Sequence, residues 1–221
     1  MPDITLTAAD GHTLSAYVTG PEDARRALVL AQEIFGVNRH MRNQADRFAA
    51  EGFRVIVPAL FDRAERGVAL GYDAPDVARG RELRGRIDPG LTLLDILAAA
   101  AALPPGIPRG IVGYCWGGTV AWHAATRSHA FRAASAWYGG GIAAARHEVP
   151  NCPVQMHFGE TDASIPMSDV EAIRAAQPGV EIYVYPGAGH GFGCDERGSY
   201  SAPDAKLAQQ RTLDFLRRHL T

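Results

Sequence analysis

The sequence lacks any apolar run long enough to cross a bilayer. Its longest run, from Leu91 to Leu103, is interrupted by Asp95 and is shorter than the roughly 20 residues that a membrane-spanning helix needs. Residues 1–5 do not contain a basic region followed by an apolar one, so we expect no secretory signal peptide. We therefore predict a cytoplasmic protein with no membrane partner.

An excess of charge of one sign is also missing. The 221 residues include 22 basic and 24 acidic side chains, a formal net charge of −2, and Lys206 is the only lysine. A chain so close to neutral has no strong field to attract phosphates, which argues against nucleic acid or an anionic membrane as a partner. We expect a small-molecule partner instead.

Cysteine is scarce, with three residues at Cys115, Cys152 and Cys194. An odd number of widely spaced cysteines is not a disulfide framework, and cytosolic thiols stay reduced. Each cysteine is therefore considered separately, as a nucleophile or as a packing residue. No histidine is paired with Cys, Asp or Glu at the spacing typical of metal ligands, and no glycine-rich stretch matches a nucleotide-binding fingerprint. The sequence thus favours no metal site.

The sequence does contain an alternation of short apolar runs and helical stretches. Its length suits one domain over residues 1–221. Asp10-Gly11, between two short strand-like stretches, predicts an N-terminal β-hairpin. Runs that are apolar on both faces are typical of a covered parallel sheet; they begin at Ala27, Phe53, Gly110, Ala133, Val154 and Glu181. The pattern predicts an α/β fold, with a mostly parallel central sheet and helices on both faces.

The stretches between these strands predict the helices. They are Asn38–Glu51, Leu91–Leu103, Thr119–Arg127, Ser168–Ala176 and Ala205–Leu220. One long polar stretch, from Arg63 to Asp88, interrupts the pattern. It is either a lid or substrate loop, or a solvated helix with a connector, and both interpretations remain open.

The strongest chemical motif is Gly113-Tyr114-Cys115-Trp116-Gly117-Gly118, between a predicted strand and a predicted helix. It has the Gly-x-nucleophile-x-Gly form of a nucleophile elbow, with Cys in place of Ser. The glycines leave room for a sharp turn, and the dipole of the following helix favours the thiolate. We predict that Cys115 is the nucleophile; the alternative is a buried structural cysteine.

A thiol nucleophile needs a base, and the base needs a carboxylate that orients it. In this fold the acid and then the histidine follow the nucleophile along the chain. Asp162 and His190 each lie in a loop after a predicted strand, so we predict them as the orienting acid and the base. Glu160 is an alternative acid. His157 lies within a strand and is interpreted as a core histidine.

Acyl transfer also requires two backbone N–H groups that face the developing oxyanion. The amide of Trp116, directly after the nucleophile, is one candidate. The loop from Gln32 to Asn38 supplies the other, for which Ile34 is favoured. Glu33 in this loop is an unusual residue beside apolar neighbours, and is either part of the chemistry or paired with an arginine.

Four motifs together resemble the dienelactone hydrolase family of α/β hydrolases. They are the Cys115 motif, Gln32-Glu33-Ile34-Phe35-Gly36-Val37-Asn38, Gly159-Glu160-Thr161-Asp162 and Gly189-His190-Gly191-Phe192. The likeness covers nearly the whole chain. It implies hydrolysis of an ester or enol-lactone, as when carboxymethylenebutenolidase converts dienelactone to maleylacetate in the degradation of chlorinated aromatics. It also implies a cytoplasmic and often monomeric enzyme that uses no metal or organic cofactor.

The resemblance implies roles for residues at matching positions. Cys115, His190 and Asp162 correspond to the catalytic triad, and Ile34 and Trp116 to the oxyanion-hole amides. Glu33 corresponds to a glutamate that contacts the resting thiol and helps to deprotonate it. Phe35 and Phe192, within the motifs, are candidate substrate contacts.

The sequence departs from the family where the substrate carboxylate is bound. The best-known members hold that carboxylate with two arginines. Cys194 stands at one of these positions, four residues after His190, and is itself a candidate substrate contact that is expected to line the pocket; Gly191 replaces a small hydroxyl residue. The second arginine falls in the segment that contains Arg79 and Arg81, either of which can substitute.

Two alternative functions remain. The first follows from the missing carboxylate-binding arginine, and the second from the cysteine at the nucleophile position. A general carboxylesterase would act on small neutral esters, which need no arginine pair. A non-catalytic, redox-responsive homologue would use Cys115 as a sensor thiol. The complete Cys–His–Asp set favours an enzyme over the sensor.

Overall fold

An eight-stranded sheet forms the centre of the computed structural model, which describes residues 3–221. Its strands are β1 (Ile4–Thr7), β2 (Thr13–Thr19), β3 (Ala27–Ala31), β4 (Arg54–Pro58), β5 (Arg109–Tyr114), β6 (Ala133–Trp137), β7 (Val154–Gly159) and β8 (Glu181–Tyr185). Their order is β1-β2-β4-β3-β5-β6-β7-β8. β1 and β2 form an antiparallel hairpin, β2 joins β4 antiparallel, and the remaining pairs are parallel. The predicted α/β fold with its N-terminal hairpin is confirmed.

Six α-helices connect or follow the strands in the described part of the chain. They are α1 (Arg39–Ala50), α2 (Ala74–Gly85), α3 (Pro89–Ala102), α4 (Trp116–Arg127), α5 (Met167–Ala176) and α6 (Ala202–His219). The stretch from Arg63 to Asp88 therefore contains a helix, α2, together with its connectors. Among residues 3–221, no helix combines the length and the apolar composition that crossing a membrane requires.

The central strands are covered on both faces. Every residue of β3, β6 and β7 is buried, as expected of covered parallel strands, including the polar residues Ser135, Gln155 and His157. Burial of each large aliphatic side chain in such a core contributes about 1.5–3 kcal/mol. β8, at the edge of the sheet, is only half-buried over most of its length. The core therefore lies around the middle strands.

The parallel strands bring chemically active residues to one edge of the sheet. β3, β5, β7 and β8 run in the same direction, so the loops that follow them emerge at their shared carboxyl ends. In open α/β sheets this edge is where ligands bind. The loops after these four strands contain Glu33, Cys115, Asp162 and His190, respectively.

Candidate active site

Cys115 lies on a sharp turn between β5 and α4. Its φ of 55° and ψ of −117° are rare for a residue with a side chain, and its N–H donates to the carbonyl of Trp137 at 3.0 Å. A β-carbon on Gly113 would lie 1.9 Å from the Gly117 carbonyl oxygen, and one on Gly117 would lie 2.2 Å from that of Ala31. The glycines of the motif are therefore required for this turn, which places the thiol at the N-terminus of α4.

His190 contacts both Cys115 and Asp162. Its Nε2 is 3.2 Å from the sulfur of Cys115, and its Nδ1 is 2.7 Å from Oδ2 of Asp162. The Asp162 side chain is fully buried, and its other oxygen accepts a hydrogen bond from the Ser164 N–H at 2.8 Å. Since an ionised carboxylate only accepts, it holds a proton on Nδ1 and directs Nε2 toward the sulfur. The three predicted residues are thus in hydrogen-bonding contact.

The surroundings of His190 favour its protonated form. Burial alone would lower the pKa of His190, but its hydrogen bonds with Asp162 and Cys115 raise that pKa to about 10. A protonated imidazole is the counter-ion that a thiolate needs in order to persist at neutral pH. A protonated His190, 3.2 Å from the sulfur, is therefore placed to stabilise negative charge that develops on Cys115.

The two competing residues have other contacts. Oε2 of Glu160 accepts a hydrogen bond from the Gly187 N–H at 2.9 Å, so this carboxylate supports the histidine loop from a distance. His157 is fully buried in β7, as predicted for a core histidine. Asp162 is thus the carboxylate that is hydrogen-bonded to His190.

Ile34 and Trp116, whose amides were predicted to bind the oxyanion, both line the cavity next to Cys115. Within residues 3–221, neither N–H donates a hydrogen bond to another protein group, so both are free for a ligand oxygen. α2 packs closely on the Ile34 peptide, because a β-carbon on Gly80 would lie 1.9 Å from the Ile34 carbonyl oxygen. The indole of Trp116 stacks on Phe61, with ring centroids 5.4 Å apart. Both peptides are therefore held by tight packing.

Glu33 is fully buried beside this site. Its Oε2 accepts a hydrogen bond from the Tyr72 hydroxyl at 3.2 Å, and its Oε1 lies 3.8 Å from Nη1 of Arg197. The pairing with an arginine, one of the two sequence interpretations, is thus present at a distance too long for a hydrogen bond. Cys115 is hydrogen-bonded to His190, and no hydrogen bond joins it to Glu33 in the described part of the chain.

A cavity of about 440 Å³ opens above Cys115. That volume suits a small organic ligand. Three arginines, Arg81 and Arg84 from α2 and Arg197 from the loop after β8, line it, and no carboxylate does so among the described residues. Neither Arg81 nor Arg84 forms an ion pair within residues 3–221, so their charges are available to a ligand. The apolar part of the wall consists of Ile34, Phe35, Val77 and Trp116.

The five predicted substrate contacts lie in three different places: the cavity wall, the surface and the buried core. Phe35 and Arg81 line the cavity. Arg79 is bound instead by Glu65 and Glu82 on the surface of the protein. Phe192 and Cys194 are fully buried beneath the site, where Phe192 packs on aromatic rings that include Trp137 and Tyr185.

Sequence reasoning missed several lining residues, among them Arg84, Arg197, Val77, Thr119 and Ser164. Arg84 follows Arg81 by three residues, and this helical spacing could have indicated that both share one face. Arg197 belongs to no motif and follows the histidine by seven residues. Only the folded loop after β8 brings it to the cavity.

Comparisons with known proteins find one family over nearly the whole chain. The profile described as "Dienelactone hydrolase family" matches residues 14–220. "Putative carboxymethylenebutenolidase" from Synechocystis sp. is 35% identical, over 87% of this chain and 86% of that protein. "Carboxymethylenebutenolidase" from Pseudomonas putida is 33% identical, over 96% of this chain and 94% of that protein. The crystal structure of a "Putative Dienelactone Hydrolase" from Klebsiella pneumoniae superimposes with a TM-score of 0.83 at 31% identity, covering 99% of this chain and 100% of that one.

Proposed function

The chain belongs to the dienelactone hydrolase family, and from this premise we propose that it hydrolyses a carboxylic ester of the enol-lactone type with Cys115 as the nucleophile. The contact of His190 with both Cys115, at 3.2 Å, and Asp162, at 2.7 Å, carries the proposal. Cys115 and His190 line a cavity of suitable size for a small lactone, and Asp162 lies buried behind the histidine. The family relatives named carboxymethylenebutenolidase support the same reaction class.

The first half of the reaction forms a thioester. His190 takes the thiol proton, and the Cys115 thiolate attacks the ester carbonyl carbon. The N–H groups of Ile34 and Trp116 donate to the oxyanion that develops on the carbonyl oxygen. When the tetrahedral intermediate collapses, the carbon–oxygen bond of the ester breaks and the leaving oxygen takes the proton from Nε2 of His190, which returns the imidazole to its neutral form. An enolate is a good leaving group, so we expect a thiolate nucleophile to cleave an enol ester more readily than an amide.

The second half releases the acid. Nε2 of His190 removes a proton from water, and the resulting hydroxide attacks the thioester carbonyl. The carbon–sulfur bond breaks and Cys115 leaves as a thiolate. Asp162 keeps the imidazole in one orientation through both halves. Glu33, as the resemblance implies, helps to deprotonate the thiol when substrate arrives.

The charge of the cavity favours a substrate that carries a carboxylate. Arg81, Arg84 and Arg197 contribute three positive charges to its wall. A guanidinium holds a carboxylate through charge-assisted hydrogen bonds, each stabilising by about 1.5–3 kcal/mol. The cavity therefore compensates for Cys194 at the position where the best-known members have an arginine. We propose an anionic lactone, bound with its carboxylate toward these arginines.

Steady-state hydrolysis of cis- and trans-dienelactone, measured beside p-nitrophenyl acetate, tests the proposal. We expect a higher kcat/KM for at least one lactone than for the neutral ester. Cys115→Ala is expected to abolish turnover of all three substrates. Cys152→Ser is the matched control, because Cys152 is a second free thiol that does not line the cavity.

The other outcomes distinguish the rival functions. Turnover of the aryl ester alone would keep the nucleophile and replace the anionic lactone by small neutral esters. Full activity in Cys115→Ala would contradict the assignment of the nucleophile. Reversible oxidation of Cys115 without turnover on a broad ester panel would point to the sensor.

A further inference from the structure

Three side chains of metal-binding type meet beneath the active site. Glu33 follows β3, His40 is in α1, and Cys194 lies in the loop after β8. All three are fully buried, and their ligand atoms all lie within 4.8 Å of one another. A carboxylate oxygen, an imidazole nitrogen and a sulfur are the donors that zinc and related divalent ions take in proteins. None of these three side chains is hydrogen-bonded to Cys115, His190 or Asp162 among the described residues.

Two atoms of this cluster lack hydrogen-bond partners. Oε1 of Glu33 and Nε2 of His40 are both buried without one. Buried polar atoms in folded proteins are almost always partnered, because an unsatisfied one costs free energy. The Arg197 guanidinium, 3.8 Å from Oε1 of Glu33, does not hydrogen-bond to it. A cation coordinated by both atoms would satisfy them together.

The groups around the cluster orient its ligands. Nδ1 of His40 is 3.3 Å from Oδ1 of Asp195. Because a carboxylate only accepts, Nδ1 carries the proton, which leaves the lone pair of the buried, unpartnered Nε2 available to a metal ion. Arg47 holds the other Asp195 oxygen at 3.1 Å, and the Tyr72 hydroxyl donates to Oε2 of Glu33. A carboxylate behind a histidine is the arrangement that orients metal-binding imidazoles.

We propose that Glu33, His40 and Cys194 form a binding site for a divalent transition-metal ion of the zinc class. On binding, the Cys194 sulfur–hydrogen bond breaks and the proton passes to solvent. The resulting thiolate and the Glu33 carboxylate then balance the two charges of the ion. Zinc–ligand bonds of about 2.0–2.3 Å bring the three ligand atoms closer together than in the metal-free cluster. Three protein ligands leave a further coordination position open.

We expect a metal ion bound at this site to regulate ester hydrolysis, an expectation that rests on the proposed function. Glu33 cannot both coordinate a cation and assist the Cys115 thiol. Metal binding is therefore expected to inhibit ester hydrolysis, with activity restored by a chelator. The binding itself does not depend on that activity, so it is tested in protein that lacks the nucleophile.

Cobalt(II) is the probe, because a thiolate bound to it gives a charge-transfer absorption. Co²⁺ is added to the Cys115→Ala variant. This substitution removes the Cys115–His190 pair, which could otherwise compete for the ion. We expect one equivalent to bind, with that absorption, and Zn²⁺ to displace it. Adding Cys194→Ser or His40→Gln is expected to abolish the band. Adding Cys152→Ser, the control for a remote thiol, leaves it unchanged.

Asp195→Asn, in the Cys115→Ala background, keeps all three ligands and does not change the buried cluster itself. We expect the Kd for Co²⁺ to rise by about 10- to 100-fold, as when other residues that orient ligands are changed. The proposal is overturned if equilibrium dialysis finds no stoichiometric Co²⁺ or Zn²⁺, or if the band survives Cys194→Ser. Turnover by the native enzyme without metal binding would leave the proposed function intact and remove only this site.

Discussion

At the scale of single residues, the backbone of Cys115 is held in a conformation that favours glycine. Its φ of 55° is positive, and only Tyr138 shares this sign among the described non-glycine residues. Such a conformation costs on the order of 1–3 kcal/mol, which the surrounding structure must offset. The hydrogen bond from the Cys115 N–H to Trp137 and the packing of the motif glycines hold it in place. The backbone conformation that positions the thiol therefore lowers the stability of the folded protein.

A comparison of two inactive variants measures this cost. Cys115→Gly relieves the backbone, whereas Cys115→Ala keeps a β-carbon at positive φ. We expect Cys115→Gly to have a free energy of unfolding about 1 kcal/mol larger than that of Cys115→Ala, the reverse of the order expected at an ordinary position. Urea denaturation of both proteins provides the measurement. Equal stabilities would mean that the turn is not strained.

Burial lowers the pKa of His190, and its two neighbours Asp162 and Cys115 raise it to about 10. Asp162→Asn removes one of these two contributions, so the pKa of His190 falls from that value. We expect kcat to drop by roughly 10⁴-fold, because the amide also permits the wrong tautomer. NMR titration of the imidazole follows the pKa, with Glu160→Gln as the control carboxylate. An unchanged titration would show that Asp162 does not support the imidazolium.

At the scale of elements, helix α4 shows where the sequence pattern was incomplete. The helix was expected to begin at Thr119 and begins at Trp116. Gly117 and Gly118 are poor helix formers, so propensity alone argues against them. Their conformation comes from tertiary contact, since a β-carbon on either would overlap the backbone of β3 or of the segment after β6. Local preference could not supply that information.

Helix α2 was harder still to predict. Only Gly80 and Leu83 are buried within it, so its sequence has almost no apolar periodicity. The strands, by contrast, were predicted to within one or two residues, because continuous apolar runs directly reflect burial on both faces. A helix such as α2, whose inner face lines a cavity instead of the core, has few regularly spaced apolar residues from which it could be predicted.

The arginines of α2 provide a test at the same scale. Arg84→Gln removes one positive charge from the cavity wall. We expect kcat/KM for an anionic lactone to fall by about 10- to 100-fold, mostly through KM, and that for p-nitrophenyl acetate to change less than about twofold. Arg86→Gln is the matched control, since Arg86 ends the same helix outside the cavity. An equal loss for both substrates would count against a carboxylate-binding role.

At the scale of the whole molecule, the site is assembled from loops that are far apart in the chain. Sequence reasoning located Cys115, Asp162 and His190 because each stands in a recognisable loop after a strand, and the order of such loops is fixed by the fold. Arg197 and the Arg81–Arg84 pair are placed by loop and helix geometry, for which no local motif exists. The contact among these three residues was therefore predictable, whereas of the three cavity arginines only Arg81 was predicted.

The pH dependence of global stability is expected to reflect a buried histidine. His157 donates from Nε2 to Gln155 and accepts at Nδ1 from the Tyr185 hydroxyl, and burial lowers its pKa to about 3. The folded state thus keeps His157 neutral, and its contribution is complete above the unfolded pKa near 6.5. Below that pH the unfolded chain takes up the proton first. Stability then falls by about 1.4 kcal/mol per pH unit, until the folded-state pKa is reached.

Urea denaturation between pH 7 and pH 4 measures this effect in the native protein and in His157→Gln. The variant is expected to be less stable at pH 7 and to lose less stability on acidification, because it has no imidazole to protonate. His129→Gln, which changes a histidine with no such buried hydrogen bonds, is the control. Parallel pH profiles for the native protein and His157→Gln would assign the acid sensitivity to other groups.

The position of the cavity arginines has a consequence for how such a protein diversifies. Two of them project from α2, a helix that is largely exposed and contributes little to the core. Arg81 and Arg84 are exposed, so substitutions at these two positions have little effect on folding, whereas Gly80 and Leu83 of the same helix and the turn at Cys115 are tightly packed. Selection can therefore retune which esters are accepted while the reacting groups are inherited unchanged. We therefore expect libraries randomised at positions 77, 81 and 84 to yield folded variants with altered ester specificity.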